Sequence, residues 1–401
     1  MTNRTPEHGD TASTHRALVP AHARLAARDD AIVRAQIAIA QIAAPTGEEE
    51  ERGRWVARRY HDCGLTEIHT DGAGNVIGRR PGTADLPPVV ICAHLDTVFP
   101  RGTDLSIRRE GVRLIGPGIN DNGRGLAVML ALAGEIDGVR LRSKHPIEFV
   151  ATTGEEGIGD LRGAKHYFGN RGRDAHAMVA LDGAGDERII HRALGSLRFR
   201  VSYSGPGGHS WAAFGVPNAV HAAAKAAARL ADLPLPTSPR TTLSVGRIGG
   251  GLSVNSIPDA AWLEIDLRST SSAQLHEFED AIHRVVHAAA DEENGKRSFG
   301  TRALCVKLET IGSRPCGETP VEHVLVRSAV DATRLVGRQP DLALASTDAN
   351  VPISQGIPAI AIGAGGRGGD AHTHAEWFDN LNGSTGVARA LTIVMSTARV
   401  A

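Results

Sequence analysis

The chain has 401 residues, which is long enough for two domains because a single hydrophobic core seldom extends beyond ~250–300 residues. Its 44 basic and 45 acidic residues nearly balance, so neither a nucleic acid nor a membrane is expected as a partner. The first twenty residues lack the apolar core of a signal peptide, and no apolar run approaches the ~20 residues of a membrane helix. The four cysteines show no CxxC pattern. We therefore expect a soluble, cytoplasmic protein.

The first predicted elements alternate between helix and strand. An alanine-rich segment ends before Pro45, and a second helical segment is closed by Gly64. In chain order, we expect a disordered segment at residues 1–20, helices at 21–43 and 48–63, and strands at 67–69 and 75–78. This alternation favours an α/β fold with a mostly parallel sheet and helices on both faces.

The stretch VVICAHLDTVFP, residues 89–100, is typical of a strand that is buried on both faces and ends at a polar site. Its apolar run leads directly to His94, and Asp96 follows two residues later. Residues two apart in an extended segment point the same way, so Asp96 is expected to reach the far ring nitrogen of His94. Such a carboxylate fixes the tautomer of a metal-binding histidine. By itself, the pattern fits a histidine without a metal better than a metal ligand.

Four later apolar runs also end in acidic or histidine side chains. They lie in IEFVATTGEEGIGD, AMVALDGAG, LALASTDAN and IPAIAIGAGG, and lead to Glu155 and Glu156, Asp182, Asp348, and His372 with His374. The glycine-rich loop LIGPGINDNGRG adds Asp121. Ligands in open α/β sheets gather beyond the carboxyl ends of the strands, so we expect these side chains to converge on one sheet edge.

Near residue 195 the pattern changes to strict alternation of apolar and polar residues, which indicates a strand with one wet face. We expect a strand at 197–203 and then a helix at 217–231, with Pro217 in its first turn. Strands at 242–248 and 261–268 follow. A second helix begins with a capping box of Ser271 and Gln274, and a last strand lies at 303–309. The order β-α-β-β-α-β is ferredoxin-like. We therefore predict an inserted domain, residues 196–312, between two parts of a catalytic domain, residues 1–195 and 313–401.

The polar residues expected at the sheet edge form a donor set for two metal ions: His94, Asp121, Glu155, Glu156, Asp182 and His372. Zinc accepts imidazole nitrogen and carboxylate oxygen, and a catalytic zinc leaves one position to water. Two metals ~3.5–4 Å apart can polarise a carbonyl together. Two imidazoles and three carboxylates, one of them bridging, would form a symmetric pair of sites and leave one carboxylate as a general base.

The chain resembles the M20 metallopeptidases, which include carboxypeptidase G2-like enzymes, tripeptide aminopeptidases and succinyl-diaminopimelate desuccinylase. The matching motifs extend from HLDTVFP to HTHAEW and include GPGINDNGRG, TTGEEGIGD, ALDG, GPGGHS, VNSIPD and STDAN. The resemblance implies a catalytic domain with a two-zinc site. It also implies that the inserted domain acts as a lid and forms a homodimer.

The resemblance implies which residues bind each metal ion. His94 and Asp182 would bind one zinc, Glu156 and His372 would bind the other, and Asp121 would bridge both. Zinc is the expected metal, and cobalt or manganese would also fit these ligands.

The resemblance also assigns the neighbouring residues. Glu155 would be the general base, and Asp96 would orient His94. A cis peptide bond is expected between Asp121 and the residue that follows it. The family spacing of a histidine four residues before a glutamate selects His372, with Glu376 following, over His374 as the ligand.

Three residues of the inserted domain match family positions. His209, in GPGGHS, matches a histidine that reaches the active site of the partner subunit and donates to the oxyanion of the tetrahedral intermediate. Asn255 and Arg268 match substrate-binding positions, and an arginine can pair both oxygens of a carboxylate. Without the resemblance, Arg268 is more typical of a wet strand face, and His209 of a loop histidine.

The expected activity is metal-assisted hydrolysis of an amide bond in short peptides, as in a di- or tripeptidase or a carboxypeptidase-like exopeptidase. Glu155 would deprotonate the attacking water and pass the proton to the leaving amine. Hydrolysis of N-acyl amino acids at the same site is an alternative, because both substrates contain an amide. A binding module with no activity is a second alternative, although the chain retains every ligand and the base.

Overall fold

The structure of the protein, a computed structural model, describes residues 10–401. The helices are α1 (Thr11–Ala17), α2 (Val19–Ala27), α3 (Asp29–Ala40), α4 (Glu50–Asp62), α5 (Gly123–Glu135), α6 (Arg162–Gly169), α7 (Ala219–Ala231), α8 (Ser272–Asn294), α9 (Val324–Leu335), α10 (Asn350–Ser354) and α11 (Gly383–Ala398). Short 3-10 helices occupy Gly157–Gly159 and Arg171–Asp174.

The strands from the N-terminus to residue 204 are β1 (Thr66–Thr70), β2 (Val76–Arg80), β3 (Val89–His94), β4 (Arg108–Glu110), β5 (Arg113–Ile115), β6 (Ile147–Thr152), β7 (Ala177–Leu181), β8 (Arg188–Ala193) and β9 (Gly195–Ser204). The later strands are β10 (Gly208–His209), β11 (Thr241–Gly250), β12 (Ser256–Ile257), β13 (Ala260–Ser269), β14 (Cys305–Arg314), β15 (Gly317–Glu318), β16 (Asp341–Ala345), β17 (Ala359–Ile362), β18 (Arg367–Gly369) and β19 (Trp377–Asp379).

The N-terminal region differs from the prediction. Residues 11–40 form three helices instead of one; the first lies wholly, and the second partly, in the segment expected to be disordered. Leu18 and Leu25 are each only 1% exposed and belong to the main hydrophobic core. Leu18, inside this polar segment, and Leu25, just after it, therefore anchor the first helices to the core. The expectation for residues 1–9 lies outside the described residues.

The chain divides into two compact units. Of the described residues, 10–193 and 318–401 form the large unit, and 194–317 form the small unit. The predicted insert, residues 196–312, lies within the small unit.

The large unit contains a mixed sheet whose order begins β1-β2-β6-β3-β7-β17-β8, with β16 also pairing β8. The inner pairs β6–β3, β3–β7 and β7–β17 are parallel. Alternate residues of β3 enter two different cores: Val89 and Ile91 pack with α5 and α11, while Val90 and Cys92 pack with α6 and α10. Helices therefore cover both faces, which confirms the predicted α/β fold.

The small unit has an antiparallel sheet of order β11-β13-β9-β14, and the helices α7 and α8 share one core with it. This is the order of a ferredoxin-like fold. Pro217 precedes α7 instead of lying in its first turn, because the Asn218 side chain caps the helix by accepting from the N–H groups of Val220 and His221. Ser271 caps α8 as expected, accepting from Gln274 N at 3.4 Å. No helix among residues 10–401 is long and apolar enough to cross a membrane.

Candidate metal centre

Some of the predicted site residues lie at or just beyond the carboxyl ends of neighbouring strands of the large unit, namely His94, Glu155, Glu156 and Asp182. Asp121 and His372 lie in loops. His94 is the last residue of β3 and is in register with Thr152, the last residue of β6. Leu181 of β7 is in register with Ile362 of β17 in the same way. The acidic residues that follow β6 and β7 therefore emerge at the same sheet edge as His94.

Two groups of possible metal ligands share Asp121. The first contains His94 and Asp182, and the second contains Glu156 and His372. The His94 Nε2 atom lies 3.0 Å from Asp121 Oδ1 and 3.9 Å from Asp182 Oδ1. The His372 Nε2 atom lies 3.3 Å from Asp121 Oδ2 and 2.9 Å from Glu156 Oε1.

These distances suit metal ions. Ligands bound tetrahedrally about 2.0–2.1 Å from one zinc ion lie about 3.3 Å from each other. The buried Asp121 Oδ1 receives no hydrogen bond of normal geometry from the described residues, although His94 Nε2 is nearby. An acceptor left in this state needs another partner, and a cation between Asp121 and His94 would be one.

The electrostatics of the cluster also favour a cation. Burial, and then the negative charge of Asp121, raise the pKa of Asp182 to about 7. The same two causes raise the pKa of Glu156. The hydrogen bond with Asp121 raises the pKa of His372 to about 9, against the opposing effect of burial. Bound cations would relieve the repulsion between the carboxylates and would replace the histidine protons.

Asp96 contacts both His94 and the paired glutamates. The Nδ1 atom of His94 lies 3.0 Å from the backbone oxygen of Asp96 and 3.5 Å from its carboxylate. The carboxylate instead accepts the backbone N–H groups of Glu155 and Glu156, at 3.0 and 2.9 Å, and the Thr46 hydroxyl at 2.9 Å. Asp96 thus contacts the far ring nitrogen of His94 through its carbonyl and, at a longer distance, its carboxylate, and it holds the backbone of the two glutamates through its side chain.

Glu155 lies beside the ligands. It is 7% exposed, and its carboxylate belongs to a third close group, with His94 and Glu156. Its position next to both ligand groups is compatible with a base that acts on a water between them.

The structure separates His372 from His374. The ring of His372 faces Asp121 and Glu156, whereas the ring of His374 packs against Phe99 at 5.7 Å between centroids. His374 is in none of the ligand groups found among residues 10–401. The Asp121-Asn122 peptide bond is cis, as the resemblance implied.

Two buried carboxylates near the site had no predicted role. Glu376 is fully buried and accepts backbone N–H groups of the Asp121 loop. Burial raises the pKa of Glu376 to about 7, although these N–H groups oppose the shift. Glu49 accepts the N–H of Gly154, in the turn before the paired glutamates, at 3.0 Å. One signal in the sequence indicated Glu376, its spacing of four residues after His372. No signal indicated Glu49, which lies in an acidic run that is typical of an exposed helix start.

In the small unit, His209 and Asn255 are neighbours. His209 of β10 pairs with Ser256 of β12, and Ser210 N donates to the Asn255 carbonyl at 3.0 Å. The N–H groups of Trp211 and Ala212 lie 3.2 and 3.4 Å from His209 Nδ1. An accepting Nδ1 leaves the proton of the neutral ring on Nε2.

Arg268 lies on β13, and its Nε donates to Asp266 at 2.6 Å. Arg198 also donates to Asp266, at 3.1 Å, and both arginines are partly exposed. The open sheet face therefore carries a set of ion pairs, and Arg268 is one member of it.

Comparison with known proteins identifies the family of this chain. Residues 90–396 match the model of "Peptidase family M20/M25/M40". The chain belongs to this family, which is metal-dependent, and it is a hydrolase of amide bonds.

Individual relatives agree with this assignment. The chain is 26% identical to succinyl-diaminopimelate desuccinylase from Corynebacterium glutamicum over 82% of this chain and 86% of that protein. The fold is similar to that of aminopeptidase PepT from Bacillus cereus, with a TM-score of 0.73, 24% identity, and coverage of 92% of this chain and 98% of the other. It is also similar to a dinuclear metal-binding M20 peptidase from Bacillus subtilis, with a TM-score of 0.65, 17% identity, and coverage of 94% and 99%.

Proposed function

We propose that the protein is a dinuclear zinc hydrolase that removes residues from short peptides. The observation that carries this proposal is the pair of ligand groups that share Asp121. His94 and Asp182 would hold one ion, Glu156 and His372 the other, and Asp121 both. Bound zinc would supply polarisation of the substrate carbonyl and an acidified water.

Glu155 moves the proton in this proposal. Its carboxylate takes a proton from the attacking water and then gives that proton to the leaving amine nitrogen. Asp96 fixes the backbone of Glu155 and Glu156, because its two oxygens accept their two N–H groups separately, and the side chains of consecutive extended residues point in different directions. One glutamate can therefore act as a ligand while its neighbour acts as a base.

His209 donates to the oxyanion in this proposal. Its Nδ1 faces the N–H groups of Trp211 and Ala212, so Nε2–H is the available donor. In a homodimer formed through the small unit, this donor would serve the site of the partner subunit. The position of β11 at an edge of its sheet supports such pairing, since an edge strand offers unpaired backbone groups.

The proposed substrates are short peptides that Asn255 and Arg268 hold by a carboxylate. The similarity to an aminopeptidase fold favours peptides. Hydrolysis of N-acyl amino acids is the second candidate, and it is favoured by the similarity to a desuccinylase, whose name denotes removal of an acyl group from an amine.

Metal analysis with a substrate panel tests the proposal. Wild type and Glu155→Ala are loaded with zinc, cobalt or manganese, assayed for metal by mass spectrometry, and tested on di- and tripeptides and N-acyl amino acids. We expect near two ions per chain in both proteins, and a loss of activity in the variant of about 10²–10⁴-fold. The cleaved compounds decide between the two substrate classes. Wild-type protein that binds no metal and cleaves nothing would favour the binding module.

A further inference from the structure

A short ladder connects the loops that carry Asp121 and His372. Strands β5 and β19 pair with Trp377 opposite Ile115. One residue further along, Gly116 N donates to the Glu376 carbonyl at 2.8 Å. The chain then turns on one side into the loop that contains Asp121, and on the other side back toward His372. Glu376 is therefore at the junction of both loops.

The side chain of Glu376 collects the backbone N–H groups of the Asp121 loop. Its Oε1 accepts from Asn120 N and from Asp121 N, both at 2.8 Å, and its Oε2 accepts from Gly118 N at 3.2 Å. A carboxylate that accepts several N–H groups makes charge-assisted bonds, which are about twice as strong as neutral ones. Glu376 thus holds the main chain of Asp121 at the residue itself and on its N-terminal side.

The loop needs this acceptor because it contains little regular structure. Gly118 has φ +68°, and a Cβ there would lie 3.0 Å from Thr97 Cγ2, so the turn is tightly fitted. The N–H groups of residues 118, 120 and 121 all point to the interior, where an N–H without an acceptor is costly. Glu376 is the described acceptor for each of them.

We propose that Glu376 is a positioning residue that sets the place of the bridging Asp121 and links it to His372. The inference rests on the proposed two-metal site. If Asp121 holds both ions, a small displacement of its backbone would weaken both sites. Carboxylates that orient metal ligands typically affect metal affinity by about 10–100-fold.

The test compares Glu376→Gln with a matched substitution. Glutamine keeps the length of the side chain, but its NH₂ group must face at least one of the three N–H donors. Glu148→Gln is the control, because Glu148 is also buried in the large unit, at 2% exposure, and binds Arg171 and Tyr167. Both changes replace a buried carboxyl group by an amide, and only the first touches the Asp121 loop.

Zinc affinity is measured by titration of the apoprotein against a competing chelator, and the visible absorption of the cobalt form reports ligand geometry. We expect zinc to bind Glu376→Gln about 10–100-fold more weakly, with an altered cobalt spectrum. Glu148→Gln should keep the wild-type affinity and spectrum, even if its melting temperature falls.

The outcomes separate this inference from the proposed function. If wild type binds two zinc ions and Glu376→Gln matches it in affinity and cobalt spectrum, the positioning role is wrong and the two-metal site stands. If wild type takes up no zinc, the proposed function itself fails. Glu376→Asp retains the charge with a shorter reach and should also bind zinc more weakly. If neither Glu376 variant folds, Glu376 serves the fold and the inference is rejected.

Discussion

The two groups of functional candidates differ in how firmly the chain holds them. In the large unit, His94 is 2% exposed and Asp96 is fully buried, and backbone N–H groups fix the supporting carboxylates. In the small unit, His209 lies on a two-residue strand, and the nearby Trp211 and Phe214 are each 87% exposed. Metal ligands need a rigid shell before the metal arrives, whereas a group that contacts substrate must remain accessible.

The largest effect on rate is expected from removal of the exposed donor of the small unit. His209→Ala is expected to lower kcat by about 10²–10³-fold, because an oxyanion donor contributes about 2.7–4 kcal/mol to the barrier. Metal content and melting temperature should stay unchanged, since the side chain is exposed and makes only local contacts. Steady-state kinetics and thermal melts measure these effects.

His276→Ala provides the control for the His209 variant. His276 is another exposed histidine of the small unit, and among residues 10–401 its Nδ1 bonds the carbonyl of Ser272 in its own helix. It should keep wild-type rates. Equal rates for the two variants would contradict the donor role of His209.

A change in the buried shell should have a smaller effect on rate, but should also alter metal binding. In Asp96→Asn, the amide NH₂ must face the N–H of Glu155 or Glu156, so the paired glutamates lose one anchor. We expect zinc affinity to fall by about 10–100-fold, measured by chelator competition.

Thr46→Val gives the graded comparison for Asp96→Asn, because it removes only the hydroxyl that donates to Asp96 at 2.9 Å. Its loss in affinity should be the smaller of the two. Unchanged zinc binding in Asp96→Asn would mean that the glutamates hold their positions without this carboxylate.

The smallest effect is expected on the open sheet face of the small unit. Arg268→Ala should raise KM by about tenfold with little change in kcat, because a hydrogen bond to a charged group is worth about 1.5–3 kcal/mol. Arg198→Ala removes the other partner of Asp266 and should change KM less than about twofold, since surface ion pairs contribute little. Identical kinetics for the two variants would mean that Arg268 contributes to the ion pairs of this face but not to substrate binding.

Much of the large unit was predictable because strands that are buried on both faces end abruptly at polar residues. The convergence of His94, Asp121, Glu156, Asp182 and His372 followed from that pattern together with the family motifs. Glu376 and Glu49 could not be assigned in this way, because a carboxylate that accepts distant backbone N–H groups has no periodic signal in the sequence.

The differences in element boundaries have local causes. The segment before residue 21 looked disordered because its polar residues dominate, yet Leu18 anchors it in the core, and Leu25 anchors the helix that continues from it. Strand β14 extends to Arg314, beyond the predicted residue 309, because it pairs with β9 along its length and passes an irregularity between Thr310 and Gly312. Irregularities of this kind interrupt the alternation from which strands are predicted.

The ferredoxin-like order has a consequence for how the chain closes on itself. The small unit begins on β9 and ends on β14, and these strands pair antiparallel with Ser196 opposite Arg314. Paired strands lie only about 4.7–4.9 Å apart, so the two ends of the insert are held side by side. Once the insert has folded, its two ends are close together, as in a tight hairpin. The large unit therefore does not bear the entropy cost of closing a flexible loop over residues 194–317.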